Sequence, residues 1–463
     1  MNNLWDETLK EDAADLGKQS LERCLREARG ANRIPPEAFE NFRVKRGLRE
    51  RDGTGVMAGV TNIGNAHGYM VYEGERVADE GKLEYRGLDM TALIDGVSAE
   101  NRFGFEECVY LLLFGKLPTA SELEEFNRLL ADKRHLPDRF TEDILMRAPS
   151  RSIMNKMAMG VLALYAYDEN PDDTDLENTV RQSVEIIARL PLIAAHAYAV
   201  YRNHFHRKSL TLHTPKDHLG TAENFLRVLR PNKSFTDEEA KLLDLCMIIQ
   251  AEHGGGNNST FTCRTISSSG TDSYSAVAAA IGSLKGPLHG GANIKVQRMF
   301  DDIKENVRDI LDEEEVVAYL NRILDKEVGD RSGLIYGMGH AIYTKSDPRA
   351  VVLKKYAESL AIRKGYGEDF QLLQTIERVT PDLFNAKKGL NKAMCANVDL
   401  YSGLVYRMLD IPVEMYTPLF AIARVSGWCA HRIEELQTAK KIIRPAYKCI
   451  ATPKIYVPLE KRS

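Results

Sequence analysis

No stretch of the 463-residue sequence approaches the ~18 consecutive apolar residues that a membrane helix needs. The best candidate, IIARLPLIAAHAYAVY, is broken by Arg189, Pro191 and His196, so a membrane-spanning reading fails on length. Cysteine is sparse and scattered. Cys24, Cys108, Cys246, Cys263, Cys395, Cys429 and Cys449 contain no C-x-x-C pair, which argues against a zinc knuckle or a disulfide framework and leaves buried or inert thiols as the expectation. An excess of one charge is also missing. With a formal net charge of -4, the chain lacks the surplus of lysine and arginine that drives nucleic-acid binding, so any anion must be held by local arginines. The opening MNNLWDETLKEDAADLGKQS is acidic and has no apolar core, unlike a secretory or organelle leader, and a cytoplasmic protein is expected. No G-x-x-x-x-G-K-[ST] occurs, the G-x-G of GTGVMAG (Gly53 to Gly59) follows no strand, and the histidines show neither H-E-x-x-H nor other close ligand spacing. Neither a nucleotide loop nor a metal site is indicated.

What is present is mostly helical grammar, in a chain long enough for two or three domains or for one large domain carrying a smaller insert. The first fifty residues read as charged helix, with Trp5, Leu9 and Leu16 as a thin apolar seam suited to an arm. Between Gly68 and Gly87 the sequence alternates and carries turn residues, which predicts one or two short hairpins. Thr236 with Glu239 makes a capping box for a helix running to Glu252, with Leu242, Leu245, Cys246 and Ile249 at helical spacing. A small-residue helix over about Asp272 to Leu284 stops at Gly286-Pro287, and GGANIKVQRMFDDIKENVRDIL resumes the helical period. No internal repeat or low-complexity tract is found. The fold class expected is mainly α, with a short β-hairpin region near the N-terminus.

Four polar sites sit beside glycines or in loops: AEHGGGNNS with His253, GPLHGGAN with His289, YGMGHAIYTKSDPRA with His340 and Arg349, and CANVDLYSG with Asp399. Glycine there lets backbone and ligand approach closely. Each has a bland alternative. His253 reads equally as a helix C-cap, and Asp399, at the start of an apolar helix, as a cap or dipole-compensating residue. His289 precedes a helix start, whose positive end favours a neutral imidazole able to donate to a developing oxyanion; the alternative is a satisfied structural histidine. Arg424 is the one formal charge in the apolar helix TPLFAIARVSGWCAH before His431, with Thr417 and Pro418 at its cap and first positions. It needs a partner, either an internal acid or a substrate carboxylate. Arg349, after a Pro turn, reads equally as a surface charge.

Taken in order, HGGGNNS, SLKGPLHGGAN, GMGHAIYTKSDPRA, NVDLYSG, ARVSGWCAH and RPAYKC resemble the citrate synthase family, from about Leu83 in LEYRGLD to the C-terminus. The resemblance implies a mostly helical, two-domain homodimer whose cleft closes on oxaloacetate. Its parts would be an N-terminal helical arm over 1–55, a large domain over 56–289, a small helical domain over 290–402, and a return to the large domain with a C-terminal arm over 403–463. By the same resemblance Asp399 matches the base that deprotonates acetyl-CoA, His289 the donor to the thioester oxygen, and His340 the group polarising the oxaloacetate ketone. The glycines beside His289 become room for the acyl group. His253, Asn257, Arg349 and Arg424 match the oxaloacetate-binding set, with Asn257 preferred over Asn258, and Arg444 matches an arginine supplied by the other subunit. The backbone of Ile335, Tyr336, Gly337, Met338 and Gly339 matches the coenzyme A loop. Two departures stand out: Ala341 where many relatives carry arginine, and Thr344 where some carry a basic residue near coenzyme A, with Lys345 as its replacement. Acetyl-CoA is then a co-substrate, and neither cofactor nor metal is implied. The nearest alternative is a 2-methylcitrate synthase using propionyl-CoA, since one methylene in an apolar pocket changes discrimination by only ~1 to 3 kcal/mol. An alternative of another class is a catalytically inactive helical dimer serving as regulator or scaffold, against which intact His289, His340 and Asp399 speak.

Overall fold

The computed structural model describes residues 18–29, 31–50, 53–72, 75–389, 393–438 and 441–462. Two compact units emerge, Met1–Ala58 with Arg444–Ser463, and Gly59–Ile443. In the first, a helix spans 18–29 and a short one spans Pro36–Asn41, opened by Pro36 at its first position. Its C-terminal stretch runs without regular structure to a single turn at Leu459–Lys461. Tyr447, Ile455 and Met57 are almost fully exposed. The expected seam of Trp5, Leu9 and Leu16 lies outside the described residues.

The second unit begins with one hairpin, longer than the sequence suggested: β1 (Gly64–Tyr72) and β2 (Glu75–Tyr85) pair antiparallel, and β3 (Leu88–Asp89) adds an edge. The register runs from Gly64 opposite Tyr85 to His67 opposite Lys82, then resumes at Tyr69 opposite Ala78. Gly68 therefore faces Asp79, Glu80 and Gly81, a bulge that frees β2 backbone from the ladder. The Tyr85 hydroxyl donates to the carbonyl of Ile248 at 2.8 Å and ties the hairpin to a helix end.

Fifteen α-helices follow among the described residues of this unit: α1 (Met90–Ala99), α2 (Phe105–Phe114), α3 (Ala120–Lys133), α4 (Ile153–Leu164) and α5 (Leu176–His206). Next come α6 (Thr221–Leu229), α7 (Asp237–Gln250), α8 (Asn258–Ser267), α9 (Ser273–Leu284) and α10 (Ala292–Asn306). The last are α11 (Glu313–Leu324), α12 (Pro348–Arg363), α13 (Gly367–Lys388), α14 (Val398–Met408) and α15 (Tyr416–Thr438). The capping box on α7 forms as read, with Thr236 Oγ1 accepting from the Glu239 amide, and α9 is capped by Asp272. Such a cap contributes about 1 kcal/mol.

The core is built around α15, which packs on α2, α5, α7, α8 and α9. Nearly every side chain of its first eighteen positions is buried, Trp428 completely. Truncating that ring to Ala would cost about 3–5 kcal/mol. The helix starts two residues earlier than expected, so Thr417 and Pro418 lie within its first turn. The apolar stretch read as too short for a membrane lies in α5, which is 31 residues long with a window of mean hydropathy 1.3, sufficient by length and composition. Its environment decides otherwise: 78% of that window is buried inside the protein, as in a core helix. Five cysteines are buried, but Cys24 and Cys449 are exposed, so the expectation of buried thiols holds for the core alone.

Candidate active site

Four segments meet at the N-terminal ends of helices. The turn after α7 carries Glu252 and His253, the turn before α10 carries His289, the loop before α12 carries His340 and Asp347, and the first turn of α14 carries Asp399. Arg424 enters from the middle of α15.

His289 is held from one side. The Ser259 amide donates to Nε2 at 3.3 Å, and Ser259 Oγ lies 3.0 Å from the same nitrogen. A ring accepting at Nε2 carries its proton on Nδ1, for which no hydrogen-bond partner occurs among the described residues. Burial, and next the charge of Arg424, push this imidazole down to about 4. The neutral ring was expected, but its cause is desolvation more than the end of α10, whose cap is Gly291 two residues on. The neighbouring glycines have a different reason from the one expected. A Cβ on Gly290 would fall on the Leu284 carbonyl oxygen, and one on Gly291 would lie 3.0 Å from Pro287 Cα, so both serve close packing of the chain on itself.

His340 is held from the opposite ring nitrogen. The amides of Ile342 and Tyr343 both donate to Nδ1, at 3.1 and 3.2 Å, which places the proton of the neutral ring on Nε2. Nη2 of Arg349 lies 3.4 Å from that Nε2. Two donors thus converge where an oxygen acceptor fits.

Arg349 is buried, not a surface charge, and its fork closes on Asp347 at 3.0 Å and 2.7 Å. Burial works against the guanidinium, and Asp347 outweighs it, leaving the pKa raised. Asp347 also accepts from the Val398 amide at 3.2 Å, joining this loop to the start of α14.

Arg424 is the opposite case. Its relative exposure is 0%, Nε donates to the Gln250 carbonyl at 2.7 Å, and both Nη1 and Nη2 are buried without a hydrogen-bond partner. Burial lowers it to about 10. Glu252 is its foremost counter-charge, so the internal acid exists, yet it makes no hydrogen bond to the fork. Glu252 is occupied by His431, whose Nε2 lies 2.9 Å from Oε1, and by the Gly254 amide at 2.5 Å. Burial opposes ionisation of Glu252, but His431 and Arg424 outweigh it and keep the carboxyl low.

His253 is buried with Nε2 unpartnered, and it is not a helix cap: α7 ends at Gln250, with Ala251 as its C-cap. Burial, Arg349, His340 and Arg424, in that order, hold it well below the ordinary histidine range. Its ring lies 5.3 Å from that of His340 and 5.6 Å from that of Tyr343, which stacks on His340 at 4.7 Å. The buried Tyr343 hydroxyl is unpartnered as well. Each such atom costs about 1–3 kcal/mol while it stays unpartnered, a cost that an ordered water or a polar guest removes.

Asp399 is not the cap of its helix. Asn397 is, its Oδ1 accepting from the Asp399 amide at 3.0 Å. Burial raises the Asp399 carboxyl to about 6 against the pull of Arg349. Asn397 also donates from Nδ2 to the Gly339 carbonyl at 2.9 Å and from its amide to the Gly337 carbonyl at 2.8 Å. Gly337 and Gly339 have φ of +85° and +82°, which turn the 335–339 backbone toward this clamp as L side chains rarely allow.

Asn257 accepts from Ser259 Oγ at 2.9 Å, beside the amide that holds His289, whereas Asn258 is engaged by Ser283. Lys345 is exposed, and Thr344 donates to the Gly68 carbonyl at 3.3 Å. Arg444 is exposed and belongs to the other unit. Sequence reading missed Tyr343, Asp347, Glu252 and His431. Asp347, two residues from Arg349 in SDPRA, was the one with a local signal. Two cavities lie elsewhere, each about 10 Å³, room for one water.

A buried carboxylate with a raised pKa, two neutral imidazoles offering opposite nitrogens and an unsatisfied guanidinium define a helical enzyme of the enolate-forming class, built for an anionic partner. The pattern described as "Citrate synthase, C-terminal domain" matches residues 53–446. The citrate synthase of Synechocystis sp. is 36% identical over 83% of this chain and 89% of its own length, and the 2-methylcitrate synthase of Shewanella oneidensis 32% over 82% and 92%. Among solved structures, the ternary complex of carboxymethyl coenzyme A and oxaloacetate with citrate synthase from Thermoplasma acidophilum superposes with a TM-score of 0.73 at 26% identity, covering 90% of this chain and 99% of that one. The chain belongs to the citrate synthase family. It is an enzyme, an acyltransferase of the Claisen-condensing kind, and the scaffold alternative has nothing in its favour.

Proposed function

We propose that the protein condenses acetyl-CoA with oxaloacetate to give citrate and CoA. The observation that carries this reading is Arg424, a buried guanidinium with two unpartnered nitrogens beside the unpartnered Nε2 of His253. A dicarboxylate satisfies both, and Arg349 and Asn257 complete its binding set. Asp399 takes the proton from the acetyl methyl group. The electron pair left by that C–H bond moves onto the thioester oxygen, where Nδ1–H of His289 donates. The enol carbon then attacks the ketone carbon of oxaloacetate, and its oxygen receives the hydrogen bond of His340 Nε2–H. Water finally cleaves the thioester of citryl-CoA, releasing CoA, with no metal required. A neutral donor suits the enolate at the thioester oxygen, where a cation would draw off the charge that the new bond needs, whereas at the ketone oxygen the Arg349 guanidinium adds to the pull of His340.

In this proposal the segment 290–402 acts as a small domain closing over the pocket and excluding water. The Ile335–Gly339 backbone and Lys345 receive coenzyme A, Arg444 comes from the second subunit of a homodimer, and the protein works in the cytoplasm. A second reading, propionyl-CoA to 2-methylcitrate, is favoured by similarity to relatives of both names. Release of CoA thiol from acetyl-CoA and from propionyl-CoA, each with oxaloacetate, tests both. Preference for acetyl-CoA is expected, a large preference for propionyl-CoA moves the assignment, and no release with either refutes the condensation.

A further inference from the structure

The His340–Arg349 loop does not stand alone. It crosses the β1–β2 hairpin at its bulge, over two glycines. A Cβ on Gly68 would lie 2.7 Å from the Ile342 carbonyl oxygen and 3.0 Å from Tyr343 Cα, and one on Gly81 would fall on the Ser346 carbonyl oxygen and lie 2.9 Å from Pro348 Cδ. Neither glycine has a positive φ, so both are explained by space and not by backbone conformation. The bulge also supplies hydrogen bonds. The Gly81 amide, freed from the ladder, donates to Ser346 Oγ at 3.1 Å, and that hydroxyl donates to the Glu80 carboxylate. Thr344 closes the contact on the Gly68 carbonyl. The residues resting on the hairpin are the ones that orient the site. Ile342 and Tyr343 supply the amides that hold His340, and Ser346 precedes the Asp347 that grips Arg349.

We propose that the hairpin bulge is a seat that fixes the His340–Arg349 loop in its oxaloacetate-binding geometry, with Gly68, Glu80, Gly81 and Ser346 as positioning residues. The proposal rests on the reading of His340 and Arg349 as oxaloacetate ligands. The seat acts on the keto acid more than on the thioester, because His340 and Arg349 ride on this loop while His289 hangs from a different segment, and the loop's one residue assigned to coenzyme A, Lys345, is exposed.

The test is steady-state kinetics with both substrates, direct oxaloacetate titration of the full chain, and thermal melting. Gly68→Ala and Gly81→Ala are each expected to raise the oxaloacetate KM by about 10-fold or more while moving the acetyl-CoA KM by less than about 3-fold. Ser346→Ala, which adds no bulk, is expected to raise it about 3- to 10-fold, with Ser346→Thr restoring it to within about 2-fold. Gly96→Ala, on an exposed part of α1 with open space around it, leaves both constants unchanged. If the glycine variants do not fold, the Ser346 pair decides. A lowered melting temperature with an unchanged oxaloacetate KM, or equal effects on both substrates, overturns the seat. Absence of oxaloacetate binding by the unaltered protein refutes the functional reading itself, whereas binding with an unchanged variant-to-parent ratio refutes the seat alone.

Discussion

The two histidine-bearing regions of the pocket solve one problem in opposite ways. His289 hangs from a distant helix start, where the Ser259 amide takes up Nε2 and leaves Nδ1–H to offer. His340 folds back on its own loop, where the Ile342 and Tyr343 amides take up Nδ1 and leave Nε2–H. A neutral imidazole has one donor, and the backbone chooses which nitrogen it is. The first arrangement fixes the ring to the body of the fold, and the second makes it depend on a loop that needs outside support.

Breaking the chemistry that both serve has the largest expected effect. Asp399→Asn should retain oxaloacetate binding by calorimetry and lose about 10²- to 10⁴-fold in kcat, and near-normal turnover would remove Asp399 as the base. His289→Ala and His340→Ala should each lose about 10²- to 10³-fold in kcat, because each deletes a donor aimed at developing charge. The comparison itself is sharpened by amides. The side-chain nitrogen of Asn reaches the place of Nδ1 and that of Gln the place of Nε2, so Asn should outperform Gln at 289 and Gln outperform Asn at 340, each by about 10-fold in kcat. The same order at both positions would refute the opposite tautomers. Next comes pH. The Asp399 carboxyl is raised to about 6 and serves only when ionised, so activity is present above that pH and falls about tenfold per unit below it. His289, at about 4, stays neutral throughout that fall. A kcat/KM profile with its acid midpoint near 4 would contradict this. The smallest effect separates neighbours: Asn257→Ala should raise the oxaloacetate KM about 3- to 10-fold, and Asn258→Ala, which loses only a bond to Ser283, by less than about 2-fold.

Much of this was legible in the sequence where the cause is local. The Thr236–Glu239 box, the helix start near Asp272 and the break at Gly286–Pro287 each depend on residues within one turn. The hairpin was located, but its bulge was not, because a bulge is a fact about two strands and their register. The ordered motifs singled out His253, His289, His340, Arg349, Asp399 and Arg424, all of which lie together. What stayed hidden are the partners drawn from afar. Glu252 is tied to His431, 179 positions away, and Asn397 took the capping role that Asp399 had been given. Of the two arginines of the site, Arg424 was read as a charge in need of a partner and Arg349 equally as a surface charge, and only packing tells that Arg349 is the paired one and the fork of Arg424 waits. Arg444 marks the limit, since its expected role belongs to an assembly of two chains.

Asn397 has a further consequence. One side chain steadies the Asp399 amide with its oxygen and grips the Gly339 carbonyl with its nitrogen. The 335–339 loop and the backbone that carries the Asp399 carboxylate are therefore joined through one side chain. In kinetic language this is an interlock: in the function proposed above, a thioester that failed to settle that loop would meet a base out of register, and idle abstraction of its protons would be avoided.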